Sequence, residues 1–371
     1  MEVDDVLLVI IGAGASFDCM PGVYSDRRPS ALGLPDHPFA FVRPPLTKAL
    51  TMEQPFYNTL VSKYPACRPV VDYLRRELLS PSGEPATTLE EALGRYEQSP
   101  DPDVKRHIMA TRFYLRDLLW GSTAYMQSSA LTGGVTNYTG LVRLLRHATA
   151  GTNTHLCFVS FNFDLLLEDA CRSHWGFDPF DMASYLHPQD VSILKPHGSV
   201  QWCWPTDLKF NGGRDYANQQ TIQQASQLTI DTTAFEIEKV MPFDPAYQGT
   251  YGPCTVPALA LPIANKDSFA WPDEHATRIQ GFKGKINRLM TIGWRAAEPH
   301  FRTLLESVMM PGFKLLVVAG SEPDADEVVT NLGSVAAMSP HRRLVSSGFS
   351  GLLTSQDLGW LLSDDDSPWL H

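Results

Sequence analysis

Five short phrases of this chain place residues able to bind anions or move protons directly after a hydrophobic run. Phe158-Val159-Ser160-Phe161 leads into Asn162-Phe163-Asp164 and then the helical pattern Leu165, Leu166, Leu167, Glu168. Polar side chains at a strand's carboxyl end face the ligand crevice of an open sheet. Asn162 would equally serve as a helix cap with Asp164 in the first turn. Leu194-Lys195-Pro196-His197-Gly198-Ser199 places an imidazole, the side chain best suited to take a proton near neutrality, at another strand end. One histidine among eleven is ordinarily surface or core, so His197 gains weight from its company. Val9-Ile10-Ile11-Gly12-Ala13-Gly14-Ala15-Ser16 reads as a strand entering a glycine turn that opens a helix. Its backbone N–H groups and dipole would suit an anion. Phe17 stands where a third glycine would complete the dinucleotide fingerprint, and no acidic residue ends a second strand at the expected distance, so a tight turn without a ligand also fits. The last two phrases are Met290-Thr291-Ile292-Gly293-Trp294, followed by Glu298-Pro299-His300, and Leu316-Val317-Val318-Ala319-Gly320-Ser321-Glu322. In the latter, Ser321 with Asp324 is also a plain helix start.

The elements that must position these residues are short apolar runs separated by helical patterns, which predicts an α/β, doubly wound parallel sheet. Strands are expected at Val6 to Ile11, Leu156 to Phe161, Val191 to Leu194, Ala258 to Leu261, Leu289 to Ile292 and Leu315 to Ala319. The gap between the first two is far longer than one crossover needs, so an insertion fills it. Val71, Leu74 and Leu78, then Val104, Ile108, Leu115 and Leu119, keep helical spacing, and the insertion reads as a helical lobe over 52–150. Thr88 with Glu91 forms a capping-box pattern before Leu89 to Tyr96, and Asp101-Pro102 a second helix start. Pro21 to Pro45 and Asn211 to Gly252 read as lids or surface loops. Asp364 to Asp366 reads as a solvated tail.

Composition narrows the function classes. The chain has 371 residues, 43% hydrophobic and 19% charged, as expected of a packed globular protein. A formal net charge of -11 disfavours a broad embrace of nucleic acid. The apolar stretch Val6 to Ala15 is too short to span a bilayer, and the acidic leader before it lacks the basic residues of a secretory signal, so a cytoplasmic protein is expected. Six scattered cysteines without a C-x-x-C pair fit reduced thiols, with no metal expected.

Taken in order, Gly12-Ala13-Gly14-Ala15-Ser16, Asn162-Phe163-Asp164, His197-Gly198-Ser199, Gly293-Trp294 and Gly320-Ser321 resemble the sirtuin-like NAD-binding family. The likeness is strongest to bacterial sirtuin-like effectors of anti-phage defence, with their N-[FY]-D strand end, K-x-H-G-S turn and late I-G-[YW] strand followed by Asp/Glu-Pro-His. The resemblance implies a Rossmann-like domain over 1–51 and 151–371 carrying the 52–150 lobe. It implies that Gly12, Ala13, Gly14 and Ser16 line the NAD pyrophosphate, and that Asn162 and Asp164 hold the nicotinamide ribose and carboxamide. His197 would be the base, with Gly293, Gly320 and Ser321 beside the adenosine half; Asn162 and His197 would be the catalytic pair. The cysteine pairs of protein-deacylating sirtuins are absent, and the Pro-x-Phe-Arg phrase is missing from Pro21 to Arg28, with Arg27 or Arg28 as substitutes for its arginine. Hydrolysis of NAD+ between nicotinamide and ribose is therefore expected rather than peptide deacylation, with a non-catalytic NAD or ADP-ribose module as the alternative. The implied partners are a second copy in a homo-oligomer, or a separately encoded HerA-like ATPase or short prokaryotic Argonaute. Neither a membrane nor direct nucleic-acid contact is implied.

Overall fold

The computed structural model describes residues 5–20, 44, 50, 57–78, 89–127, 136–186, 190–210, 212–240, 254–260 and 269–363. Strand β1 (Asp5–Ile11) lies at the centre of a six-stranded sheet with β2 (Thr154–Ser160) and β3 (Val191–Leu194) on one side. Two further strands of this chain, β4 (Gly198–Pro205) and β5 (Glu236–Ile237), join β6 (Thr255–Leu259) in a separate three-stranded antiparallel sheet. The large sheet is completed by β7 (Ile286–Ile292), β8 (Met309–Val318) and β9 (His341–Val345). Its order is β3-β2-β1-β7-β8-β9, every pair parallel. Strand order reverses between β1 and β7, the doubly wound arrangement of the Rossmann fold, whose ligand crevice lies at the carboxyl ends beside that switch point.

Register brings those ends level: Ile11 pairs with Ser160 on one side and Ile292 on the other, and Ile292 pairs with Val318. Val6 to Ile11 are completely buried, because helices cover both faces of a parallel sheet and demand an unbroken Val, Ile and Leu run. Each such side chain contributes roughly 1.5–3 kcal/mol of burial.

Between β1 and β2 the chain runs through helices Ala13–Phe17, Tyr57–Lys63, Arg68–Leu78, Leu89–Glu97, Val104–Gln127 and Asn137–Thr149. Val71 and Leu74 are buried as their spacing predicts. Asp117, fully buried on the longest helix, accepts from Tyr64 Oη at 2.7 Å, Lys63 Nζ at 3.1 Å and Arg116 Nε at 2.9 Å. Three donors around it offset the cost of burying that side chain. Thr136 caps the last helix through a reciprocal bond pattern with Thr139 and delivers Tyr138 to the crevice.

Three expectations need correction. The strand expected at Ala258 to Leu261 begins at Thr255, ends at Leu259 and belongs to the antiparallel sheet, since its neighbours are β4 and not the central strands. Asn211 to Gly252 is not simply a loop: helix Arg214–Gln223 and β5 lie within it, and Asn218 and Thr221 are buried despite the polar sequence. The expected strand list also lacks β9, an edge strand whose His341, Arg342 and Leu344 are exposed, so no apolar run marks it. Thr88, Leu261, Asp364 to Asp366 and Pro21 to Pro45 other than Pro44 lie outside the described residues.

His275, on helix Asp273–Gln280, is buried against Trp202, Tyr185 and Trp271, with ring centroids 5.5, 6.1 and 6.2 Å away. Neither ring nitrogen has a partner among the described residues, and burial pushes its pKa down to about 3. The unfolded chain therefore takes up a proton that the native protein refuses. Stability is complete above about pH 6.5 and falls as pH drops toward 3, by up to about 1.4 kcal/mol per pH unit. The His275→Phe variant should show a shallower fall by that amount, measured by urea unfolding at steps from pH 7 to pH 4; an unchanged slope would remove His275 from the account.

Candidate functional site

The floor of the crevice is the contact between two strand-end turns. Gly12 N–H donates to the Ile292 carbonyl at 3.0 Å, and Gly14 N–H donates to the Gly293 carbonyl at 3.1 Å. A Cβ on Gly12 would lie 2.5 Å from the Gly293 oxygen, and one on Gly293, whose φ is +59°, would lie 2.3 Å from the Ala15 nitrogen. The glycines are thus required by backbone packing at the switch point. Ala13, half-buried, begins the short helix. The N–H groups of Gly12 and Gly14, expected to face a pyrophosphate, are already committed to the end of β7.

Above this floor, four side chains from distant segments form one closed hydrogen-bond set whose proton directions can be worked out. The Ser16 hydroxyl donates to Asp164 Oδ2 at 2.7 Å. Its single hydrogen being committed, the 2.8 Å contact with Tyr138 must be donated by the phenol. Asn162 Nδ2 lies 2.9 Å from the Gly12 carbonyl, 2.8 Å from Ser16 Oγ and 3.2 Å from Tyr138 Oη. A carbonyl can only accept, which fixes the amide with its nitrogen inward. Asp164 Oδ1 accepts the Leu166 N–H at 3.1 Å, so this carboxylate also starts the following helix. Ser16 Oγ is saturated, with one bond donated and two accepted. Asn162 Oδ1, in contrast, has no partner among the described residues. Burial and the neighbouring Asp164 carboxylate hold the Tyr138 phenol well above its ordinary pKa, so it stays a neutral donor.

His197 stands in the turn between β3 and β4. Its ring packs edge-on against Phe161 at 4.9 Å and stacks over Phe163 at 6.1 Å, the two residues flanking Asn162. Phe161 in turn stacks on Trp294 at 5.4 Å, next to Gly293 and hence Gly14. The phrases around residues 12–16, 162–164, 197 and 293 are therefore one contiguous cluster. The imidazole is half-buried, and the surrounding rings withdraw water from it, pushing its pKa down to about 4. It is neutral at physiological pH and has no hydrogen-bond partner among the described residues. Gly198, at φ +82°, makes the turn back into β4, and a Cβ there would overlap the Ala258 carbonyl oxygen.

Gly320 and Ser321 stand apart from that cluster. Gly320 is exposed at the end of β8, with no atom within 4 Å of where a Cβ would project. Ser321 caps helix Glu322–Leu332, accepting the Asp324 N–H and donating to its carboxylate at 2.6 Å. From the β2 end to the β8 end is three strand spacings, about 14 Å, so one extended ligand would have to lie across β1 and β7 to touch both groups.

Sequence reasoning missed Tyr138, which no local pattern connects to Ser16, 122 residues away. It also missed the role of Trp294, whose indole donates to Glu298 Oε2 at 2.7 Å. The spacing of four between a tryptophan and an acid was the available signal. Among the described residues no cluster of His, Cys, Asp and Glu could hold a metal ion, no helix is long and apolar enough to cross a membrane, and all six cysteines are buried thiols outside any disulfide. A groove of about 700 Å³ lined by Leu186, Arg278, Phe282 and Lys285 opens at the amino end of β7, the opposite edge of the sheet.

The fold and the crevice define an α/β protein with a Rossmann-ordered sheet and a polar cluster at its switch point. No protein-family model matches the sequence, and no curated protein matches it. Among solved structures it is similar to a Sir2 homologue mutant in complex with ADP-ribose, at 11% identity and a TM-score of 0.39, covering 94% of this chain and 88% of the other. A Sir2 homologue bound to NAD aligns at 12% identity and a TM-score of 0.36, covering 96% and 91%. Likeness that loose says nothing of ligand or reaction, and the sheet order stands on its own hydrogen bonds.

Proposed function

We propose that the chain is an NAD+ glycohydrolase of sirtuin-like type. The observation that carries this reading is the pairing of Asn162 Oδ1 and the His197 imidazole. Both lack hydrogen-bond partners among the described residues, whereas Ser16, Tyr138 and Asp164 beside them bond within the cluster, and the rings of Phe161 and Phe163 tie one to the other. In the reaction the C1′–N bond of the nicotinamide riboside breaks and its electron pair returns to the pyridinium nitrogen, which leaves neutral and needs no acid. Water adds to C1′ and its proton passes to His197. Asn162 Oδ1 accepts from a ribose hydroxyl, and the aromatic wall limits water to the attacking molecule. The products are nicotinamide and ADP-ribose.

The phrase order shared with bacterial defence effectors supports a role in depleting NAD+ during phage infection. Restraint would come from homo-oligomer assembly or a separately encoded partner such as a HerA-like ATPase or short prokaryotic Argonaute. One observation favours a second reading, an NAD- or ADP-ribose-binding module without turnover: an imidazole at about 4 is a weak base.

The test is nicotinamide release from NAD+ by the purified chain, alone and with each candidate partner. The Asn162→Ala variant is expected to lose about 100-fold in rate, the usual scale for a misplaced substrate. Unchanged release in the variant removes the site assignment. NAD+ binding by calorimetry with no release under any condition establishes the second reading.

A further inference from the structure

Beneath His197 lies an ion pair that the reaction above does not use. Lys195 Nζ and Glu168 Oε1 are 2.6 Å apart, and both side chains are wholly inaccessible to solvent. The same ammonium donates to the main-chain carbonyl of Asp164 at 2.5 Å. Glu168 belongs to helix Leu166–Trp175, and its Oε1 also accepts from Tyr185 Oη at 3.3 Å, while Oε2 has no partner among the described residues. Two desolvated charges are a poor route to stability, since well-packed apolar residues of the same size generally serve as well or better. What this pair does that apolar residues cannot is reach across: it joins the end of β3 to the loop after β2. Val200 N–H reinforces the join on the neighbouring carbonyl, Phe163 O, at 2.9 Å.

We infer that Lys195 and Glu168 are positioning residues which hold the Asn162–Asp164 loop against the Pro196–His197 turn, setting the distance between the amide and the imidazole. The proposal rests on the NAD+ reading for its kinetic test but not for its spectroscopic one. Removing Lys195 alone leaves a buried carboxylate without its counter-ion and unfolds or softens the chain, whatever its role. The informative variant therefore carries Lys195→Met and Glu168→Met together, which removes both charges and keeps side-chain volume.

The expected result is a folded double variant whose thermal midpoint stays near that of the native chain and whose kcat for nicotinamide release falls at least 100-fold while KM moves less than threefold. The His197 ring signal, assigned with His197→Gln in protein labelled at histidine Cε1, should leave the position imposed by Phe161 and Phe163, and its titration midpoint should rise from about 4 toward 6.5. A double variant with native kcat and an unmoved His197 signal overturns the proposal. A native chain that releases no nicotinamide removes the glycohydrolase reading alone, because the ring signal still decides whether the pair holds the turn. Should the double variant fail to fold, Glu168→Gln decides: it removes the counter-charge of Lys195 and keeps side-chain volume, so a His197 signal displaced from native in the folded variant supports the proposal, and a signal identical to native overturns it.

Discussion

Replacing Gly293 by alanine is expected to cost about 3–5 kcal/mol and lower the thermal midpoint by about 5 °C. Two penalties add. The residue sits at φ +59°, where an L side chain costs roughly 1–2 kcal/mol, and the new carbon would lie 2.3 Å from Ala15 N and 2.6 Å from Gly14 Cα, both main-chain atoms. Backbone cannot rotate out of the way as a side-chain tip can, so the two turns must part. Gly320→Ala is the matched control, because nothing lies within 4 Å of its added carbon and its stability should stay within about 0.5 kcal/mol of native. Thermal unfolding of the two variants side by side tests this, and equal midpoints would mean that the β1 and β7 turns do not touch as described.

The His197→Ala variant is expected to lose about 10²- to 10⁴-fold in kcat for nicotinamide release with little change in KM, the range for loss of a general base. The pH profile separates this from a general loss of structure. A base works when unprotonated, so with a pKa of about 4 the native chain should keep the proposed activity from neutrality down to about pH 5 and lose it below. An ordinary histidine would begin to lose it near 6.5. The acid limb should vanish in the variant, leaving a low, flat rate. Persistence of the limb in His197→Ala would assign the titration to another group, and native kcat would remove the imidazole from the chemistry.

How far the sequence could be read depended on whether a residue's partners were local. Val6 to Ile11 and Leu315 to Val318 announce themselves because burial on both faces permits only apolar residues. Strand β9 does not, because Arg342 and Leu344 at the sheet edge meet solvent and carry no pattern. Gly198 and Ser199 read as the end of a functional turn and proved also to open β4, the central strand of the small sheet, whose Trp202 and Trp204 pack on Phe235. In the site, Asn162 and His197 could be picked out by type and by their place after apolar runs. The bonding of Ser16 could not: its hydroxyl reaches Asp164, 148 residues on, and a glycine turn gives no hint that the serine after it is fully engaged within the protein. Tyr138 was silent for the same reason, being an ordinary aromatic residue on an amphipathic helix until the fold carries it to Asn162.

The Asp18 carboxylate, two residues beyond Ser16, receives both of its described donors from Ser350, through N–H at 3.1 Å and the hydroxyl at 3.3 Å. Phe349 supplies the ring on which Tyr138 rests, 5.3 Å away. On the ribosome, at roughly 5–20 residues per second, the helix bearing Tyr138 emerges about 10–40 s before these two residues do. Through that interval the nascent chain lacks the contacts that Phe349 and Ser350 make with Tyr138 and Asp18, so the crevice is completed only as synthesis nears residue 350. If NAD+ is the substrate, as proposed, that delay shields the cell that makes the chain.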